Sequence, residues 1–471
     1  LTGFVWLLNR NMLLLYINLI QCYYSIPTYR LLQYTQNSSN NNMIGSTRVS
    51  IDHQIGDYKT KPDSKKAVFM SIKNVNLTKV EELINVSSPI IFVVDDFKTD
   101  TKELEDFLLS KQQKAPIYFV IGDQVNDKMG TEFEYVKTTE MKSNSQFHKT
   151  KLQNIVGAIN GSKTFGQEKV VIITAPFDSF STVPGMNIGA NNNGISIAAL
   201  LEIMRQVSKF PIVNNWVFLF ALVDGHFCKE EGLEKLLTTY SSIHSSKIKF
   251  AISLESIVAE KLHGVFGQRL RRESAFAKFM YCLLNAMRTA NIDIETGLNE
   301  DGEKEGLTQA TYNKHLINSI TIVGEQDDQI SRITDVEPNV TRANDIAWCI
   351  SEALLRMMYN ADNTATMINR QSVDTSKWAT VISKVQRMSA FRDQTFAQSI
   401  LQWMKKFATI SSINEWSSNK CLAPYSSTQA KLIFYNNVPF IQLFGYFILA
   451  LGYGAIILFI VGKYTGLSFK K

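Results

Sequence analysis

KVVIITAPFDSF (169–180), GANNNGISIAALLEI (189–203) and WVFLFALVDG (216–225) decide the fold of this chain. The first run is rich in β-branched residues and uncharged from Val170 to Phe177, and Pro176 within it cannot donate to a sheet ladder. The second opens on a Gly- and Asn-rich loop and passes into Ile195–Val207, with apolar residues at 197, 200, 201 and 204, the spacing of one helix face. The third is a continuous apolar strand. Strand, loop, helix, strand is the order of a crossover unit in a parallel sheet. Outward from it the alternation continues. Leu152–Ile159, Ile248–Leu254 and Ile317–Val323 read as strands; Glu230–Tyr240, Ala275–Ala290 and Asn344–Tyr359 read as helices. The expected fold is α/β, a mostly parallel sheet sandwiched by helices over residues 146–360.

At 471 residues the chain exceeds one ordinary domain. Before the main domain, AVFMSI from Ala67, IIFVVDD from Ile90 and IYFVIGD from Ile117 alternate with charged, helix-compatible segments, so residues 29–145 are expected to form a small α/β lobe. Beyond Asn360 the strand signal ends. Trp378, Val381, Ile382, Val385, Phe396, Ile400, Trp403 and Phe407 recur at helical spacing, which predicts a helical stalk over 361–437.

Both ends are apolar. Val438–Gly462 holds 25 residues without a charge, a helix of about 37 Å and enough for a hydrocarbon core of ~30 Å. Lysines 463, 470 and 471 follow and predict a cytosolic tail at 463–471. Within the run, Gly445, Gly452 and Ala455 fall near one face. Residues 1–28 read as a signal peptide or amino-terminal hydrophobic segment, with an uncleaved second span as the alternative. The expected topology is a single-pass membrane protein with a lumenal ectodomain. Net charge is +6, and RLRR at 269–272 is too short for a nucleic-acid footprint, so no direct nucleic-acid partner is expected. Five cysteines lack CxxC or His spacing; they allow one disulfide without choosing its pair. Sequons stand at Asn37, Asn76, Asn85, Asn160 and Asn339 as possible glycosylation sites.

The order APFDSF, GANNNG, helix, VDG, strand, SLES resembles the di-zinc aminopeptidase fold shared by transferrin receptor, nicastrin and nicalin ectodomains. YRLLQYT (29–35), GSTRVSI (45–51) and the segment from Ser331 to Asn360 resemble the nicalin family, nicastrin-like membrane proteins of the endoplasmic reticulum. In the peptidase pattern the first strand ends His-x-Asp, the loop reads Gly-Ala-Asp-Asp/Asn and the third segment ends Glu-Glu. Carried onto this chain, Pro176 replaces a histidine ligand and Asp178 keeps the acidic residue beside it. Asn191 replaces the bridging Asp, and Val223 replaces the general base. Asp224 and Glu255 match acidic ligand positions, and Gly324 or Glu325 replaces the last His. Proline has no donor atom, an amide binds Zn²⁺ weakly, and valine takes no proton. The resemblance therefore implies a pseudo-peptidase with no cofactor. Asp178, Asp224 and Glu255 remain as acids that either converge on a hard cation or pair within the protein.

Other motifs add no catalyst. His53, His148, His226, His244, His263 and His315 each read as surface or structural residues. Ser179 and Ser181 have no histidine beside them in sequence, and Gly189–Gly194 has phosphate-loop spacing without the Lys-Ser/Thr that should follow. The nicalin resemblance implies an endoplasmic reticulum complex with a small multipass membrane protein and a large lumenal protein of immunoglobulin-like repeats, the Nodal modulator. It also implies work at the ribosome-bound translocon in multipass membrane protein biogenesis. The rival readings are an atypical metallo-aminopeptidase and a cell-surface binding ectodomain on an enzyme-derived scaffold.

Overall fold

The computed structural model describes residues 23–465 apart from 37–42, 49, 58, 60, 123–132, 140–149, 162–167, 187, 245–246, 260, 268–272, 299–307, 325–329, 363–364, 390, 419–420, 426–428 and 436–438. Residues 1–22, the 463–471 tail beyond Thr465, His148, Glu325 and the sequon at Asn37 lie outside the described residues; the expected amino-terminal segment at 1–28 is corrected at its end, because Tyr23–Arg30 is a strand paired into a sheet.

An eight-stranded sheet forms the main domain. Its spatial order is Ile294–Leu298, Leu262–Phe266, Ser319–Gly324, Ile248–Glu255, Lys169–Pro176, Trp216–Val223, Thr150–Asn160, Ile410–Ser418. The centre is parallel, as the apolar runs require, because both of its faces are covered by helices. Antiparallel pairs flank that centre, at Leu262–Phe266 on one side and at Thr150–Asn160 and Ile410–Ser418 on the other, so the sheet is mixed. On one face pack Ile195–Val207, Ala275–Thr289, Val340–Tyr359 and Gln394–Met404. Leu200, Phe279, Ile350, Leu354 and Ile400 are fully buried there, each worth about 1.5–3 kcal/mol of transfer from water. The other face is covered by Glu231–His244, through Leu233, Leu236 and Leu237, and by Tyr312 of the helix Thr308–Lys314.

The small lobe is a closed barrel. Its neighbours run Tyr23–Arg30, Gln429–Tyr435, Tyr135–Thr138, Asp52–Gly56, Lys66–Ser71, Ile90–Val94, Ile117–Ile121, and the last pairs back onto the first. The three apolar runs read from sequence are its parallel strands, joined by the helices Leu77–Asn85 and Lys102–Ser110. Glu105, fully buried, binds the lobe to the main domain. It accepts from Thr182 Oγ1 at 2.6 Å and from the Ile333 amide at 2.9 Å.

The expected helical stalk at 361–437 is corrected. Buried Glu352 accepts from the amides of Met367 (2.8 Å) and Ile368 (2.9 Å) and folds the chain back onto the domain. Ser376–Ile382 and Gln394–Met404 are helices, but they pack on the sheet. Ile410–Ser418, Leu422–Tyr425 and Gln429–Tyr435 are strands, so the segment completes the main sheet and the barrel. The lobe thus extends past its expected limit at 145 by recruiting a strand from the far end of the chain. Cys228 and Cys421 form a disulfide, while Cys282 and Cys349 are buried thiols outside any disulfide.

Pro439–Thr465 is one continuous helix on which Phe447, Ile448, Leu458 and Phe459 are exposed. Its unbroken run of described side chains is 447–463. Among the described residues no helix is long and apolar enough to cross a membrane. Of the run expected to span, Val438–Gly462, the structure shows the helix alone.

Candidate functional site

The positions that the resemblance assigns to metal chemistry gather at the carboxyl ends of the central strands, where open α/β sheets place ligands. Pro176 and Val223 are register partners at the tips of two parallel strands. Val223 is buried among Ile172, Ala221 and Leu233, and its carbonyl accepts from the Phe177 amide at 2.6 Å. Neither side chain offers a ligand atom or a base at this place.

The loop at 189–194 is held from outside by one acid and one cation. Gly189 and Asn193 take φ of 63° and 59° to make its turns. Asp335 accepts from the Asn191 amide (2.8 Å), from Asn191 Nδ2 (3.0 Å) and from the Asn192 amide (2.8 Å). Asn191 Nδ2 also reaches the Glu337 carbonyl at 2.6 Å, and Oδ1 accepts from the Asn339 amide at 2.8 Å. Both ends of the amide are committed to protein partners. Burial raises the Asp335 carboxyl, and the amides that it accepts pull it back. Arg387, fully buried, donates to the carbonyls of Ile188 (2.9 Å), Gly189 and Asn192 (3.1 Å). A Cβ on Gly194 would lie 2.6 Å from the Gly189 carbonyl oxygen and 3.1 Å from Arg387, so only glycine fits beneath this clamp.

Each of the three acids has its own partners. Asp224 forms a buried ion pair with Arg392 and accepts from the Gln153 amide (2.8 Å) and from Ser389 Oγ (2.9 Å). The Arg392 guanidinium also lies 4.4 Å from the Phe177 ring centroid. Asp178 accepts from the His226 amide at 3.1 Å, and Glu255 accepts from the Thr308 amide and Ser253 Oγ, both at 3.2 Å. Burial, then the charge of Asp224, raises Asp178 to about 7. His226 pairs with Glu230. Burial lowers its proton affinity, but Glu230, with Glu255 and Asp178, outweighs that and raises it to about 10.

The donor set does not fit zinc. Pro176 and Gly324 have no donor, Asn191 is tied to Asp335, and Asp224 to Arg392. At Gly324 a Cβ would lie 2.6 Å from Ala259 Cβ and 2.9 Å from the Ser256 carbonyl oxygen, so an imidazole has no room there. Among the described residues no group of three His, Cys, Asp or Glu side chains is placed to hold a metal ion. The positive charge facing these buried carboxylates comes from His226, Arg387 and Arg392. A cavity of about 20 Å³ remains beside Asp178, Ser179, Ser389 and the Cys228–Cys421 disulfide, room for about one water molecule.

Arg387, Arg392 and Asp335 carry this arrangement, and none was singled out from sequence. The one available signal was a pair of arginines, RMSAFR at 387–392, in an otherwise apolar helical pattern. His226, read as structural, sits inside the cluster. Asn76, Asn85, Asn160 and Asn339 are all exposed.

Residues 154–304 match the model of peptidase family M28. A BOS complex subunit ncln of Danio rerio is 20% identical over 277 residues, 50% of this chain and 47% of that protein. The human BOS complex subunit NCLN is 19% identical over 234 residues, 41% of this chain and 42% of that protein. The chain thus spans about half the length of the curated relatives it matches. Among solved structures, the γ-secretase component nicastrin superposes with a TM-score of 0.63 at 12% identity, covering 87% of this chain and 99% of that one. That likeness shows the fold. The chain has the aminopeptidase-type fold and, over about half its length, resembles nicalin in sequence.

Proposed function

We propose that this chain is a non-catalytic subunit of a membrane-protein complex, with its peptidase-derived domain serving as an assembly surface. The observation that carries the reading is the Asp224–Arg392 ion pair: a ligand-position carboxylate is consumed by a cation from the segment between Ser376–Ile382 and Gln394–Met404. Without a base at 223 or free ligands, water has nothing to activate it. Both curated relatives are named as subunits of one complex, which supports the assembly role.

In this reading the helix Pro439–Thr465 anchors the protein in the endoplasmic reticulum membrane with the folded domains in the lumen. The support is the absence of charge from 439 to 462 and its row of exposed Phe, Ile and Leu side chains. The partners are a small multipass membrane protein and a large lumenal protein of immunoglobulin-like repeats, engaged during multipass protein biogenesis at the translocon. Pull-down of the tagged full chain from mild-detergent membranes, with mass spectrometry, should recover both. Elemental analysis of the same preparation should find no stoichiometric zinc. Tightly held zinc, or a protein that purifies without membrane partners, would overturn the proposal.

A further inference from the structure

The opposite end of the central sheet carries a cavity of about 300 Å³, within the size range of small-ligand sites. It lies where Lys169–Pro176 and Trp216–Val223 begin, whereas the degenerate centre lies where they end. Eight residues of strand separate the two by about 23 Å. Three lysines line the cavity from three different elements. Lys169 heads one strand, Lys249 stands near the start of Ile248–Glu255, and Lys278 lies in the first turn of Ala275–Thr289. Glu273 is the one acid among the lining residues, so the wall carries a surplus of two positive charges.

The apolar part of the wall is Trp216 and Met358. Lys169 Nζ lies 5.5 Å from the centroid of the Trp216 ring, which directs that ammonium along the indole. Asn214 and Asn360, both lining the cavity, adopt φ of 56° and 51°, and Asn214 Nδ2 donates to the Met358 carbonyl at 3.2 Å. That bond ties two sides of the wall across the sheet edge. Like charges brought around one concavity repel each other, and a bound anion removes the repulsion.

We propose that this cavity binds a phosphate monoester, its dianion among Lys169, Lys249 and Lys278 and a small apolar body against Trp216 and Met358. A dianion matches the surplus charge where a single carboxylate leaves half of it, and tetrahedral oxygens accept from three separate donors at once. The ester has two possible sources, a free small molecule or a phosphorylated lipid headgroup. The test is calorimetric titration of the detergent-solubilised full chain with phenyl phosphate, and separately with dibutanoyl phosphatidylinositol 4-phosphate. Saturable one-to-one binding is expected, weakened by salt and weakened by about tenfold or more, roughly 1.4 kcal/mol, in Lys278→Glu and in Lys249→Gln. Lys384→Glu, on an exposed surface away from the cavity, should leave it unchanged. Melting curves of each variant separate lost binding from lost folding, and Lys278→Gln serves if the charge reversal unfolds the chain. Tighter binding of the lipid analogue assigns the site to a headgroup; tighter or equal binding of phenyl phosphate assigns it to a free ester. No saturable binding of either probe, or binding indifferent to the Lys278 and Lys249 variants, overturns the proposal.

Discussion

Arg392 and Asp224, 168 residues apart in the chain, meet as an ion pair whose side chains are 3% and 0% exposed. Breaking one member of such a pair leaves a buried charge without compensation. Arg392→Met should therefore cost about 3–5 kcal/mol of stability, read from urea unfolding of the full chain. Adding Asp224→Asn should recover a large part of that loss. A single variant that unfolds at the wild-type urea concentration would show the pair to be inert.

The loop at 189–194 yields a second expectation. Asn191 Nδ2 sits 3.0 Å from Asp335 Oδ1, so Asn191→Asp sets a carboxylate against a carboxylate. The variant should lose about 1–3 kcal/mol by forfeiting a buried hydrogen bond to a charged group, with a proton taken up to relieve the repulsion. Asn191→Asp with Asp335→Asn restores a donor and an acceptor and should regain most of the stability. The exchange would also show that a carboxylate at 191 does not by itself recruit zinc, measured by metal analysis of the double variant.

Stability should fall as pH rises, in two windows. Asp178 holds its proton up to about 7 in the folded chain against 3.8 ordinarily, so the native state binds the extra proton between those values and loses that advantage as pH climbs through them. His226, raised from 6.5 to about 10, contributes stabilisation that is complete below 6.5 and gone once pH passes about 10. Tm measured from pH 4 to 10 should decline throughout. Asp178→Asn should flatten the lower window and His226→Gln the upper one, whatever either does to the absolute Tm. Slopes identical to wild type in both variants would contradict the assignment.

Cys228–Cys421 closes a loop of 193 residues. Cys421→Ser should lower stability by about 2–5 kcal/mol, checked by melting in parallel with the reduced wild type. Alkylation under native conditions should spare Cys228, Cys282 and Cys349, all buried, and denaturant should then expose the Cys228 thiol released by the substitution as one label more than in the oxidised wild type.

The parts of this fold that were legible in the sequence are those that local patterning determines. Lys169–Pro176 and Trp216–Val223 are continuous apolar runs because both faces are covered, and Ile195–Val207 shows its buried stripe at helical spacing. The substituted positions were legible for the same reason: Pro176, Asn191 and Val223 are departures at single positions in a recognisable frame. Ile410–Ser418 was not legible. ISSINEWSS is largely polar with no buried residue, and it is a strand because nine residues of Thr150–Asn160 pair with it. Arg387 and Arg392 escaped for a related reason. Their partners lie more than 160 residues away, and no periodicity announces a guanidinium that satisfies distant carbonyls and a distant acid.

The barrel is sealed by Tyr23–Arg30 lying antiparallel to Gln429–Tyr435, with Tyr23 opposite Tyr435. During synthesis the lobe's early strands leave the ribosome long before the strand that completes them. For the time needed to make some four hundred residues, at about 5–20 residues per second, the first strand offers an open hydrogen-bonding edge on that side. The main domain's central strands meanwhile have everything they need to pair. Birth order therefore runs against chain order: the middle of the molecule can mature first, while its amino-terminal lobe waits as a cylinder short of one strand, open between Tyr23–Arg30 and Tyr135–Thr138.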